Sequence, residues 1–187
     1  MKLNLSVDEV LSTTRSVRKR LDVSKPVPRA LIDECLELVA TAASEKGVMV
    51  VADVDPDHPP VPADPDGIHQ VLMNLLSNAL DAVEQGTGLI RVLCRFDANA
   101  HQSMIEVEDN GVGIQPSMMD HMFELFHSTK GNRGTGLGLA VAKKIIDEHD
   151  GSISVRSKPG EGSIFTIRLP VFQVSMSDAS QTHGPAR

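Results

Sequence analysis

Gln70-Val-Leu-Met-Asn74-Leu-Leu-Ser-Asn78-Ala-Leu-Asp81-Ala82 repeats its apolar residues at three and four, the period of an amphipathic helix. The stripe is Ile68, Val71, Leu72, Leu75, Ala79 and Val83. Asn74, Asn78 and Asp81, at i, i+4 and i+7, share another face. Asp64-Pro65 reads as an N-cap followed by a proline at the first helical position, and the helix is expected to run to about Glu84. Two glycine-rich blocks follow it: Asp109-Asn110-Gly111-Val112-Gly113-Ile114, then Gly134-Thr135-Gly136-Leu137-Gly138-Leu139. A single block of this kind is weak evidence. The polar helix face and both blocks, in this order, point to a nucleotide triphosphate.

The remainder of the chain is read outward from these three elements. Residues 28–45 form an expected helix, with Leu31, Ile32, Cys35, Leu36, Val39 and Ala42 at helical spacing. A strand over 48–53 and a Pro- and Asp-rich loop over 55–65 lead into the central helix. Past the turn at 86–88, strands at 89–96 and 103–109 pair as a hairpin across Asp97-Ala-Asn-Ala. From Gly111 to Gly134 only a short helix near 117–125 is periodic, and so long a connection reads as a mobile lid. A helix from Leu137 to His149, with Leu139, Ala142, Ile145 and Ile146 inward, precedes strands at 152–157 and 163–169 around Pro159-Gly-Glu-Gly162. The division expected is a helical extension over 1–43, one domain over 44–172 and a disordered tail over 173–187.

Composition narrows the class. The 187 residues carry a net charge of −7 and hold five Phe but no Trp or Tyr, so the core is aliphatic. An acidic balance argues against nucleic acid and anionic lipid as partners, and no direct membrane contact is expected. Cys35 and Cys94 lack metal spacing and read as reduced thiols. With no secretory leader or membrane-length apolar run in the sequence, the expectation is a cytoplasmic protein or the soluble part of a membrane-associated one.

The chemistry can be assigned residue by residue. Mg²⁺ prefers octahedral oxygen and keeps several waters. The Asn78 amide oxygen can supply one ligand, Asn74 can hold a metal-bound water or a phosphate oxygen, and Asp81 can order water behind them. Asp109, at a strand end, can accept from an exocyclic adenine amine, and the glycines after it let backbone approach the base. Gly134 to Leu139 opens a helix, where unpaired N–H groups and the helix dipole favour phosphate. It lacks the Lys-Ser/Thr of a Walker A loop, and no strand precedes it as a dinucleotide fingerprint requires. Lys130 and Arg133 are candidate γ-phosphate contacts. Taken singly, each feature also reads as a solvated helix face, a turn or exposed lid cations.

In sequence, residues from about 45 to 170 resemble the ATP-binding catalytic domain of bacterial sensor histidine kinases, in the wider family shared with gyrase, Hsp90 chaperones and mismatch-repair ATPases. Asn74 to Ala82 matches the N box and Asp109 to Ile114 the G1 box. Phe123-Glu-Leu-Phe126-His-Ser-Thr-Lys130 resembles the F box, Gly134 to Leu139 the G2 box, and Gly160-Glu-Gly-Ser-Ile-Phe165 the closing strand. The resemblance implies a Bergerat-type α+β two-layer sandwich: a mixed sheet with helices on one face and a mobile ATP lid. It implies ATP and Mg²⁺ as cofactors, with Asn78 on the metal. Asn74, Asn78, Asp81, Asp109, Gly111, Gly113, Ile114, Phe126, Thr129, Lys130, Arg133, Gly134, Thr135, Gly136, Leu137, Gly138 and Ser163 are then the nucleotide contacts. Asn74 and Lys130 take the catalytic roles. In the ATPase branches a glutamate at the position of Asn74 activates water, which asparagine cannot do. The resemblance is therefore to the branch that passes the γ-phosphoryl to a histidine.

None of the seven histidines (His58, His69, His101, His121, His127, His149 and His183) sits in an acceptor pattern. A separate histidine-bearing dimerisation domain, and indirectly a response regulator, are the implied partners, and the chain itself is expected to be monomeric. An ATP- or ADP-binding regulatory module is the alternative. The first forty residues also resemble the amino terminus of FMN-dependent nitroreductases, whose flavin phosphate contacts would fall on Arg15, Ser16 and Arg18. The rest of that fold is absent from the sequence, so a flavin site is not expected.

Overall fold

A computed structural model describes residues 26–27, 29–124 and 137–171. Its strands are β1 (Pro26–Val27), β2 (Met49–Val54), β3 (Val61–Pro62), β4 (Leu89–Asp97), β5 (Gln102–Asp109), β6 (Ser152–Lys158) and β7 (Gly162–Pro170). Its helices are α1 (Arg29–Glu45), α2 (Pro65–Ala82), α3 (Pro116–Met119) and α4 (Gly138–Glu148). Five strands form one sheet in the order β2-β4-β5-β7-β6, parallel between β2 and β4 and antiparallel elsewhere. This is the expected mixed sheet of an α+β two-layer sandwich.

Side-chain alternation sets the two faces. Along β5, Ser103, Ile105, Val107 and Asp109 are buried while Met104, Glu106 and Glu108 between them are half-buried. Ile90, Val92 and Cys94 of β4 and Phe165, Ile167 and Leu169 of β7 join the buried face. The other face carries cross-strand polar pairs: Arg91 Nη1 to Glu108 Oε2 at 3.0 Å, Thr166 Oγ1 donating to Glu106 at 2.9 Å, and Arg95 against Asp53. The helices cover the apolar face because that is where burial gains about 25 cal/mol per Å².

α2 lies between α1 and α4. Leu76 and Leu80 are therefore buried beside the expected stripe, giving the helix a wider apolar surface than its sequence period indicated. α1 contributes Leu31, Ile32, Cys35, Val39 and Ala43 to the same core as Val48 and the sheet, so packing is continuous across residue 43.

Asp64 caps α2 as expected: its carboxylate accepts from the Asp66 N–H at 3.2 Å, with Pro65 in the first turn. The helix ends at Ala82 rather than near Glu84, because Val83 turns to extended backbone (φ −83°, ψ 151°). The loop expected over 55–65 contains β3, which pairs with β1 through Pro26↔Pro62 and Val27↔Val61. Two residues are too few to show a period, and only a distant partner makes them strands. The short helix expected near 117–125 is one turn, Pro116–Met119, followed by a tight turn in which the His121 N–H donates to the Met118 carbonyl at 3.3 Å.

Among the described residues no helix is long and apolar enough to cross a membrane. Arg15, Ser16, Arg18, Phe126, Thr129, Lys130, Arg133, Gly134, Thr135 and Gly136, with the tail over 173–187, lie outside the described residues.

Candidate nucleotide site

The first end of the candidate site, where a base is expected, begins where β5 stops. Asp109 is paired in register with Ile90 of β4 and Ser163 of β7, and is 4% exposed. Its Oδ1 accepts the Gly111 N–H at 2.8 Å, and Ser163 donates to the carboxylate through its N–H and its hydroxyl. Burial pushes the carboxyl pKa up, while those donors pull it back. The result is a buried carboxyl held in place by backbone and hydroxyl donors.

The loop after Asp109 is wedged between backbones. Val112 N–H donates to the Ala82 carbonyl at 3.1 Å, and Gly160 N–H donates to the Val112 carbonyl at 2.8 Å. Gly113 has φ +66°, and a Cβ there would overlap the Lys158 carbonyl oxygen. Gly162, at φ +95°, crosses so close to Asp109 that a Cβ would overlap its carbonyl oxygen. Ser157 Oγ accepts the Ile114 N–H at 2.8 Å, donates to the Gly162 carbonyl at 2.8 Å and lies 3.0 Å from Ser163 Oγ. Asn110 ties the loop to the α2–β4 turn, accepting the Leu89 N–H at 2.7 Å and donating to the Thr87 carbonyl at 3.1 Å.

The second end is a helix pair. Asn74 Nδ2 donates to the Gly138 carbonyl at 3.1 Å, joining mid-α2 to the first residue of α4. The N-cap residue, Leu137, makes no side-chain cap bond, and the first turn of α4 holds no acid that would compete with an anion. Asn78 is half-buried on α2. Asp81 lies 3.7 Å from Lys46 Nζ, and Lys46 also donates to the Leu80 carbonyl at 3.3 Å. Asp81 thus engages the turn after α1 while Asn74 engages α4, although the two share a helix face.

The structure therefore gathers Asp109, Gly111, Gly113, Ile114 and Ser163 at one end, and Asn74, Leu137 and Gly138 at the other. Asn78 and Asp81 continue along α2 between them. Among the described residues, no group of three or more His, Cys, Asp or Glu is arranged to hold a metal. The donors on α2 are amide oxygens, which suit an ion that brings its own waters and phosphate ligands.

Sequence reasoning missed Asn110, Ser157 and His149 as structural partners of the site. Asn110 lay in the quoted block without an assigned role, and Ser157 is a lone strand serine with no local signal. His149 was read only as a helix end, yet it is 6% exposed and bonded on both ring nitrogens. His58 is likewise structural: Nδ1 donates to the Pro59 carbonyl at 2.7 Å and Nε2 is hydrogen-bonded with Ser103 Oγ at 2.9 Å. Both cysteines are buried, and burial pushes each thiol up to about 11, which keeps them as inert thiols.

The family described as histidine kinase-, DNA gyrase B- and HSP90-like ATPase matches residues 63–173, a span that holds every element of both ends. The chain belongs to this family. The signal transduction histidine-protein kinase AtoS of Escherichia coli (strain K12) is 36% identical over 90% of this chain. The sensor histidine kinase ZraS of the same strain is 36% identical over 91%. The chain spans only 29% and 35% of those two proteins. Coverage this wide reaches into the first forty residues, so the kinase likeness extends into that segment.

Among solved structures, the catalytic domain of histidine kinase ThkA superposes with a TM-score of 0.68 at 30% identity, covering 75% of this chain and 90% of that one. Full-length ShkA in complex with AMPPNP superposes with a TM-score of 0.70 at 26% identity, covering 87% of this chain and 36% of that one. Family membership makes this an ATP-binding catalytic domain of the histidine kinase branch, and the two-layer sandwich is the fold of its relatives.

Proposed function

We propose that the chain binds Mg²⁺-ATP and donates the γ-phosphoryl to a histidine on a separate dimerisation domain, with a response regulator as the downstream acceptor. The observation that carries this is Asn74 bonded to the head of α4, opposite a buried Asp109. Asp109 accepts from the adenine amine. Gly111, Gly113 and Ile114 present backbone to the base, and Ser163 fixes the Asp109 carboxylate. Leu137 and Gly138 offer N–H groups to the phosphates at the start of α4, and the sequence resemblance adds Gly134, Thr135 and Gly136 as phosphate contacts. Asn78 would hold Mg²⁺ through its amide oxygen, and Asp81, which lies 3.7 Å from Lys46 Nζ, would order water beside it. The sequence resemblance adds Phe126, Thr129, Lys130 and Arg133 as nucleotide contacts, with Lys130 neutralising charge on the transferred group. Bound Mg²⁺ supplies charge neutralisation at the phosphates.

At position 74 an asparagine cannot take a proton from water. The chain's own residues therefore position the triphosphate and leave the nucleophile to the partner, so transfer to histidine is favoured over hydrolysis. Calorimetric titration with Mg²⁺-ATP is expected to show saturable, Mg²⁺-dependent binding. Mixing the chain with a histidine-bearing dimerisation domain from a relative and γ-labelled ATP is expected to label that domain. Binding without label transfer to any acceptor domain tried would favour a regulatory module. A chain that does not bind would overturn the assignment.

A further inference from the structure

We infer that His149 is a positioning residue for the triphosphate: it locks the far end of α4 to the N-cap of α2, and so sets where the head of α4 meets Asn74. The inference rests on the nucleotide site proposed above. The two helices run antiparallel, with Gly138 opposite Asn74, Ile145 opposite Gly67 and His149 opposite Asp64. Polar bonds close the pair at both ends. At one, Asn74 Nδ2 donates to the Gly138 carbonyl at 3.1 Å. At the other, the His149 ring sits between the two helices.

The partners of that ring fix its state. Nδ1 lies 2.7 Å from the Ile145 carbonyl, which only accepts, so Nδ1 carries the hydrogen. Nε2 lies 2.9 Å from the Asp64 amide, which only donates, so Nε2 presents its lone pair. One neutral tautomer satisfies both, and the ring is 6% exposed. Asp64 is itself the cap of the helix carrying Asn74 and Asn78. Between the ends, a Cβ on Gly67 would come within 3.1 Å of Ile145 Cγ2, so the helices touch with little slack. α4 moves against α2 as one rod, so a shift at His149 is carried along about 16 Å of helix to Gly138. Asp109 and its glycines meet β6, β7 and the C-terminal end of α2, and none of these contacts involves α4, so a shift of α4 against α2 leaves them in place.

A contact that only stabilised the fold would not discriminate between parts of the nucleotide; a positioning residue does. The test measures calorimetric affinities of the full chain for Mg²⁺-ATP and for adenosine, in the wild type, His149→Phe and His149→Gln. Phe keeps a buried ring without the acceptor, and Gln keeps an acceptor that can reach the Asp64 amide. The expected result is an affinity for Mg²⁺-ATP lowered about tenfold in His149→Phe, adenosine affinity within about twofold of wild type, and substantial recovery of ATP affinity in His149→Gln. Unchanged ATP affinity in His149→Phe overturns the inference, as does equal loss of ATP and adenosine. If His149→Phe does not fold, His149→Gln decides alone: ATP affinity near wild type supports the inference, and loss of both ligands overturns it. Wild-type chain that binds no Mg²⁺-ATP overturns the site assignment, and with it this inference, an outcome distinct from a failure of the variants alone.

Discussion

The two ends of the candidate site are held by different means. At the base end, backbone crosses backbone: Gly113 runs against Lys158, and Gly162 against Asp109. At the phosphate end, two helices are fastened by side chains: Asn74 to Gly138 and His149 to Asp64. Backbone crossings leave no room to relax, whereas helix pairs can shift by tenths of an ångström. The base end should therefore fail abruptly when altered, and the phosphate end by degrees.

Gly162→Ala should break the contrast hardest. Its Cβ would overlap the Asp109 carbonyl, and its φ of +95° is closed to most L-residues. A loss of about 3 kcal/mol or more is expected, lowering the melting temperature by about 6–12 °C, together with loss of Mg²⁺-ATP binding. Scanning calorimetry and titration check both. A variant that melts like wild type would mean the base end yields as easily as a helix contact.

Asp109→Asn is expected to separate affinity from stability. Loss of a charged acceptor should weaken Mg²⁺-ATP about 10–100-fold, while the melting temperature holds or rises because a buried charge has gone. The same carboxyl gives a pH signature. Its folded pKa is raised above the unfolded value by burial, so its contribution to stability is fully present below the unfolded pKa and declines as pH rises through the folded one. Nucleotide affinity should run the other way, falling as pH drops into that raised range and protonates the acceptor. Equal affinities of wild type and Asp109→Asn across that range would remove Asp109 from base recognition.

Asn74→Ala should sharpen the contrast from the other side. One neutral hydrogen bond to Gly138 is lost, so Mg²⁺-ATP affinity should fall about 3–10-fold, with adenosine binding unchanged. Parallel titrations with the two ligands decide it, and a matching loss for adenosine would merge the two ends into one unit. The smallest effect belongs to Lys143→Ala. Lys143 pairs with Asp147 one turn along α4 at 2.9 Å, and both are about half exposed. Removing an exposed i,i+4 pair should cost about 0.5 kcal/mol or less and leave nucleotide affinity alone. A large change in affinity would place the outer face of α4 in the site.

Much of the molecule was legible locally. The period through Ile68, Val71, Leu72 and Leu75 located α2, and Asp64-Pro65 located its start. Asp109 followed by glycines marked a strand end where backbone must come close. These readings succeeded because each is a property of a few neighbouring residues: a helical repeat, a cap, a residue without a Cβ. The wider burial of α2 through Leu76 and Leu80 was not legible, because it depends on α1 and α4 packing on either side. The β1–β3 pairing was missed because Val61–Pro62 becomes a strand only when Pro26–Val27 lies beside it.

The sequence by itself determined the order of α1, α2, α4 and the five strands of the main sheet, the N-cap of α2, the acidic end of β5 and the asparagine at position 74. Tertiary structure alone decided that His149 faces Asp64 across 85 residues of chain, that Ser157 holds Ile114 across 43, and that Asp81 turns to Lys46 while Asn74 turns to α4. The physical reason is range. Periodicity, capping and backbone freedom act between near neighbours and are written into the local sequence, whereas a hydrogen bond between distant segments exists only once both are packed on the same sheet.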